Sequence, residues 1–145
     1  FVAGEAKVID YIKHHAPALI FSASPTPSSV AAALAALNIL EQEPERVDKL
    51  ISNSQMIRDG LLDAGFQVIE GRTGIVPVIV GSDELAFTMW RKLYDAGVFV
   101  NAFISPGVPQ GRQMMRTSYM ATHEEEHLQK IIDTFKSVGK ELGLI

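Results

Sequence analysis

Close to residue 65 the apolar residues of this chain change their period. Up to that point they recur every three or four positions; beyond it two short runs, Phe66–Glu70 and Ile75–Gly81, read as strands joined by a turn containing Gly71 and Gly74. Both patterns occur within 145 residues, a length that suits one folding unit. Such a chain has to lay helices against a sheet, which excludes a pure helix bundle and an all-β sandwich.

The order of the elements narrows this further. Ala6–His15 places Val8, Ile9 and Ile12 at helical spacing, and Pro17 ends that run. Ala18–Ser24 reads as short and extended. Thr26 then offers an N-cap, with Pro27 at the first helical position. The helix that follows is apolar almost all round, Val30–Ala36 being VAAALAA. Small residues on every face imply close packing, either against another subunit or domain or inside this same domain. A second long helix runs from Pro44 to Ala64, stops at Gly65, and turns Arg46, Asp48, Lys49, Arg58 and Asp59 to solvent. After the first two strands, Ser82 caps a helix that reaches about Ala96 and ends at Gly97. Val98–Ile104 is a strand, Ser105–Gly111 a loop with two prolines, Met114–Met120 a strand and Thr122–Leu142 the last helix. The expected class is α/β of the α+β type, a small mixed sheet with helices packed on it.

Composition removes several functions. Apolar residues make up 47% and charged residues 21%, ordinary globular values. A formal charge of −4 lacks the basic footprint that nucleic acid requires. Without cysteine there is no thiol catalysis, zinc ribbon or disulfide. No apolar run reaches the ~18 residues of a membrane helix. Nor is there a basic start followed by an apolar core, so a cytoplasmic protein is expected. The sequence opens at Phe1 in the middle of apparent structure, as expected of a fragment of something larger.

Few constellations carry chemistry. His123-Glu124-Glu125-Glu126-His127 fits the zinc-protease string H-E-x-x-H. Its setting argues otherwise: Thr122 and Glu125 form a capping box, which makes this an exposed first helical turn, and no third ligand or apolar flank is evident. No metal site is expected. Glycine-rich phosphate loops and a G-x-S-x-G elbow are missing, and no catalytic residue is assigned. Arg116 says more. It lies in the extended stretch MMRTSYM just after the two-proline loop, among apolar neighbours, where a guanidinium needs a partner. Its planar fork suits a carboxylate, from the protein or from a ligand; Arg112 is the rival and reads as loop-exposed. Ser22 and Ser24 sit before a helix start, where hydroxyls hold an anion or simply cap the local backbone.

Taken together, FVAG, VIDYIKHHAPALIFSAS, the TP-led helix, EPERVDKL, IVPVIVG, GVFVNAFISPGVPQG, MMRTSYMATHEEEHL and FKSVGKELGLI resemble the α-oxoamine synthases along essentially the whole chain. These are pyridoxal-phosphate enzymes that condense an amino acid with an acyl-CoA and release carbon dioxide. The resemblance implies that residues 1–41 are the end of the large domain and its connecting helix. It makes 42–145 the small C-terminal α/β domain of the PLP-dependent transferase fold. It also implies that the catalytic lysine precedes Phe1, so that this stretch alone is inactive. Arg116 takes the place of the arginine that binds the substrate carboxylate, and Ser22 that of a hydroxyl reaching the cofactor phosphate of the neighbouring subunit in a homodimer. Gly107 stands where some relatives have threonine. A serine-palmitoyltransferase-like branch is favoured over glycine C-acetyltransferase and 8-amino-7-oxononanoate synthase. A non-enzymatic assembly domain of the same fold is the alternative.

Overall fold

The computed structural model describes residues 2–145, and the chain divides into two compact units, one ending at Gln42 and the other being Glu43–Ile145. The first unit is helical: α1 is Ala6–His15, α2 Pro17–Ile20 and α3 Pro27–Gln42. The stretch expected to be extended begins instead with the single turn of α2. Ala16 is held in the β region, as a residue before proline prefers, and Pro17 supplies a helical φ at the first position. The amides of Leu19 and Ile20 then both bond to the carbonyl of Ala16 at 3.0 Å. Thr26 caps α3 as expected, its Oγ1 accepting from the Ser29 amide at 3.4 Å. No residue of α1, α2 or α3 is buried. Val30, Leu34 and Leu37 of the apolar, small-residue helix each leave more than half of their surface open.

The second unit holds α4 (Glu45–Asp63), β1 (Ile75–Ile79), α5 (Asp83–Asp95), β2 (Asn101–Phe103), β3 (Met114–Ser118) and α6 (Glu125–Glu141). Its sheet runs β1-β3-β2. The α/β class with helices on one small sheet is as expected, but the pairing is antiparallel on both sides of β3 rather than mixed. Residues 104–113 are too few to carry a crossover helix, so the chain simply reverses and β3 slots in between β2 and β1. Val76 and Val78 of β1 with Met115 of β3 turn inward onto Ile57, Leu61, Met89, Leu93, Ile132 and Phe135 from the three helices. Pro77, Ile79, Met114 and Arg116 alternate with these residues and make up the outer face.

Phe66–Glu70 is not a full strand; it makes one isolated bridge, Val68 to Val78. The cause is Pro77. The Ile69 amide donates to the Pro77 carbonyl at 3.0 Å, and the return bond needs an N–H that proline lacks. The Ile69 carbonyl left without that partner accepts from Nη1 of Arg58, whose Nη2 reaches the Ile75 carbonyl at 3.3 Å. Arg58 is thus buried, not turned to solvent as its place in the polar pattern of α4 suggests. A guanidinium with donors in a fixed fork can satisfy two backbone carbonyls in a place that water does not reach.

Glycine and serine set the helix ends. Gly65 and Gly97 follow α4 and α5 with φ of +100° and +82°, a conformation that costs other residues a Cβ clash. Ser82 Oγ accepts from the Leu85 amide at 3.2 Å. Ser82→Ala is expected to lower stability by about 1 kcal/mol, read as a lower urea midpoint with an unchanged slope.

Candidate active site

Arg116 sits in the middle of the central strand, opposite Pro77 on β1 and Asn101 on β2. Its side chain is half-buried. Its guanidinium carbon lies 4.8 Å from the centre of the Phe103 ring, in reach because Phe103 pairs with Met114 and so lies diagonal to Arg116 across the sheet. A flat cation over an aromatic face is held both by the ring quadrupole and by stacking. No carboxylate of the described residues pairs with Arg116, and its Nε is closed to solvent with no hydrogen-bond partner. A guanidinium kept in place without a counter-ion has donors free for an anion, and its fork fits a carboxylate best.

The loop before β3 is fixed from beneath. Asp83, in the first turn of α5, accepts from the Ser105 amide at 3.1 Å and from Nε2 of Gln113 at 2.9 Å. Gln113 is fully buried, and its carbonyl accepts from the Val80 amide at 2.7 Å. These bonds tie residues 105–113 to the end of β1 and so set where β3 begins. At Gly107 a Cβ would stand 3.2 Å from the Ile104 carbonyl oxygen, so the loop folds tightly there. Arg112 is exposed. Sequence reasoning missed Phe103, because only the strand register brings it to Arg116, and it missed Asp83 and Gln113, whose bonds join α5 to the loop before β3.

Ser22 belongs to the other unit. It is exposed, and its hydroxyl donates to the Leu19 carbonyl at 2.7 Å, the local capping role that a serine after a helical turn readily fills.

The histidine string is differently built from the expected capping box of Thr122 and Glu125. The N-cap is Glu124, and His127 three residues on accepts the Glu124 amide on its Nδ1 at 3.0 Å. His123 likewise accepts the Met120 amide on Nδ1 at 3.3 Å. Rings bonded this way carry their proton on Nε2, the wrong tautomer for a metal at that nitrogen. Glu124, the base of the zinc-protease string, pairs with Lys49 at 3.0 Å.

Residues 1–135 match the family model described as aminotransferase class I and II. The chain belongs to this family. Among the family's proteins it is 42% identical over 140 residues to a serine palmitoyltransferase of Sphingobacterium spiritivorum, covering 94% of this chain and 35% of that protein. A putative 8-amino-7-oxononanoate synthase of Acetivibrio thermocellus is 38% identical over 145 residues, all of this chain and 37% of the relative. A solved serine palmitoyltransferase variant from S. paucimobilis, with bound PLP–myriocin aldimine, superposes with a TM-score of 0.88 at 31% identity, over 99% of this chain and 36% of that one. The chain therefore spans little more than a third of the length of the curated relatives it matches. The family and its transferase fold are those the sequence resemblance implies. Among the described residues no helix is long and apolar enough to cross a membrane.

Proposed function

We propose that the protein carrying this chain condenses an amino acid with an acyl-CoA thioester, with loss of carbon dioxide, and that Arg116 holds the amino acid's carboxylate. The observation that carries the reading is the Arg116 guanidinium itself, stacked on Phe103, without a carboxylate partner among the described residues and with an orphaned Nε. Two parallel N–H···O bonds from its Nη groups would hold a carboxylate. They would also fix the rotation of the substrate about its Cα, and so select the bond that is aligned for cleavage.

The relatives named serine palmitoyltransferase and 8-amino-7-oxononanoate synthase support this reaction class, which needs pyridoxal phosphate. When bound, that cofactor supplies an electron sink for the charge that develops at Cα. On this chain Ser22 fits its phosphate: the hydroxyl is exposed and held only by one local carbonyl bond, which it can exchange for a phosphate oxygen. In this reading residues 1–41 close the large domain and 42–145 are the small domain. The catalytic lysine lies outside this sequence, and a cytoplasmic homodimer places Ser22 at the neighbouring subunit's cofactor. The identity to the Sphingobacterium relative favours serine with a long-chain acyl-CoA over alanine or glycine.

The test follows release of CoA thiol by the whole protein with serine, alanine and glycine, each against short and long acyl-CoA. Release specific to serine and a long chain is expected. Release with alanine or glycine instead moves the protein to another branch. No release with any pair, from protein without imine absorbance, overturns the enzyme reading in favour of an assembly domain.

A further inference from the structure

A cleft of about 560 Å³ opens beside the first turns of α6 and does not include Arg116 in its lining. Its volume falls in the range of small-ligand sites. The chain before β2, the end of β3 and the start of α6 make its walls. Phe99, Met120 and Ile131 give it an apolar side, and Phe99 and Met120 are 74% and 56% exposed, a poor arrangement for large apolar residues facing only water.

The other side is a set of donors. His123 and His127 both use Nδ1 to accept a backbone amide, which leaves Nε2–H as the outward group on each ring. The rings stand 6.2 Å apart. Lys130 follows His127 by three residues, on the same helix face. Its Nζ folds to within 3.5 Å of the position a Cβ on Gly97 would take, and it makes no ion pair among the described residues. Glu126 approaches His127 Nε2 only at 3.9 Å with its side chain 84% exposed, too loosely to neutralise the group. Tyr119 also lines the cleft. It is 6% exposed, and its hydroxyl is closed to solvent. Burial pushes that hydroxyl well above the ordinary tyrosine range, so it remains a neutral donor.

We infer that this cleft binds a linear aliphatic carboxylate, its chain along Phe99, Met120 and Ile131 and its head group among His123, His127 and Lys130. An inorganic anion would leave the apolar wall wet, and a neutral chain would leave the donors unmatched. The inference concerns a different part of the fold from the Arg116 site and stands independently of the reaction proposed above.

Titration calorimetry of the full chain with octanoate, 1-octanol, acetate and inorganic phosphate tests it. Octanoate is expected to bind about tenfold or more tightly than the other three. Lys130→Met and His127→Gln should each weaken octanoate about tenfold, the effect of losing one hydrogen bond to a charged group, with unchanged circular dichroism spectra. Arg116→Ala should leave octanoate affinity as it is. Octanol binding as well as octanoate, phosphate competing at equal affinity, unchanged affinity in both cleft variants, a loss caused by Arg116→Ala, or no binding at all would each overturn the inference.

Discussion

Arg116→Ala is expected to raise the KM for the amino acid by about a hundredfold or more in the whole enzyme, while the fold survives. The side chain bonds to no described residue through its Nε and has no ion-pair partner among them, so its removal orphans nothing in the protein. What it removes is the receptor for a desolvated carboxylate. Truncating one side of such a pair costs about 2–5 kcal/mol, which corresponds to roughly 30- to 5,000-fold in affinity. Arg116→Lys should not restore binding, because an ammonium offers neither the parallel pair of donors nor a flat face for Phe103. Phe103→Ala should fall between wild type and Arg116→Ala, since it frees the guanidinium to leave its stacked position without deleting it. Amino-acid titrations followed by the cofactor's absorbance read all three variants, and equal affinity in wild type and Arg116→Ala would remove the carboxylate role.

Much of this site was legible in the sequence, for physical reasons that differ from residue to residue. Arg116 stood out because a guanidinium among apolar neighbours needs a partner; the residues alone left a protein carboxylate and a ligand open, and the resemblance to a known family implied the ligand. The helix limits at Thr26, Ser82, Gly65 and Gly97 were readable because caps and left-handed glycines are local chemistry. Contacts set by strand register were not. Phe103 comes to lie under Arg116 only because β2 pairs with β3 as Phe103 to Met114, and a slip of one residue would have turned it to the other face. The strand expected at Phe66–Glu70 failed through Pro77 on the strand it pairs with, and Arg58 is buried because that proline left a carbonyl unpaired. Neither fact is visible in the local pattern of α4, where an arginine among acids and lysines reads as solvated. Ser22 was placed by resemblance rather than chemistry, and its local bond to Leu19 is what the residues by themselves suggest.

Phe135→Ala is expected to do the reverse of Arg116→Ala, lowering stability by about 3–5 kcal/mol with little change in the amino-acid KM of the protein that remains folded. Phe135 is fully buried on α6, beneath the inner face of the sheet. Its ring meets Phe66 edge to face, with centroids 6.0 Å apart and planes at 81°, a geometry that adds to simple area burial. Phe66 in turn rests on bare backbone: a Cβ on Gly139 would stand 2.4 Å from its Cζ. The two rings and the glycine form one joint between α6 and the chain leaving α4, and that joint cannot close over the hole an alanine leaves, because Phe66 already touches the helix. For a folding unit of about a hundred residues, the expected loss lowers the melting temperature by more than ~10 °C. A loss under ~1 kcal/mol in urea titrations would show that the joint repacks. Arg116 should barely register the change, because it projects from the opposite face of the sheet and takes its position from β2 and from the loop held by Asp83. Stability and the proposed carboxylate binding should thus be separable in this unit, the first resting on the inner face of the three strands and the second on Arg116 of the outer face.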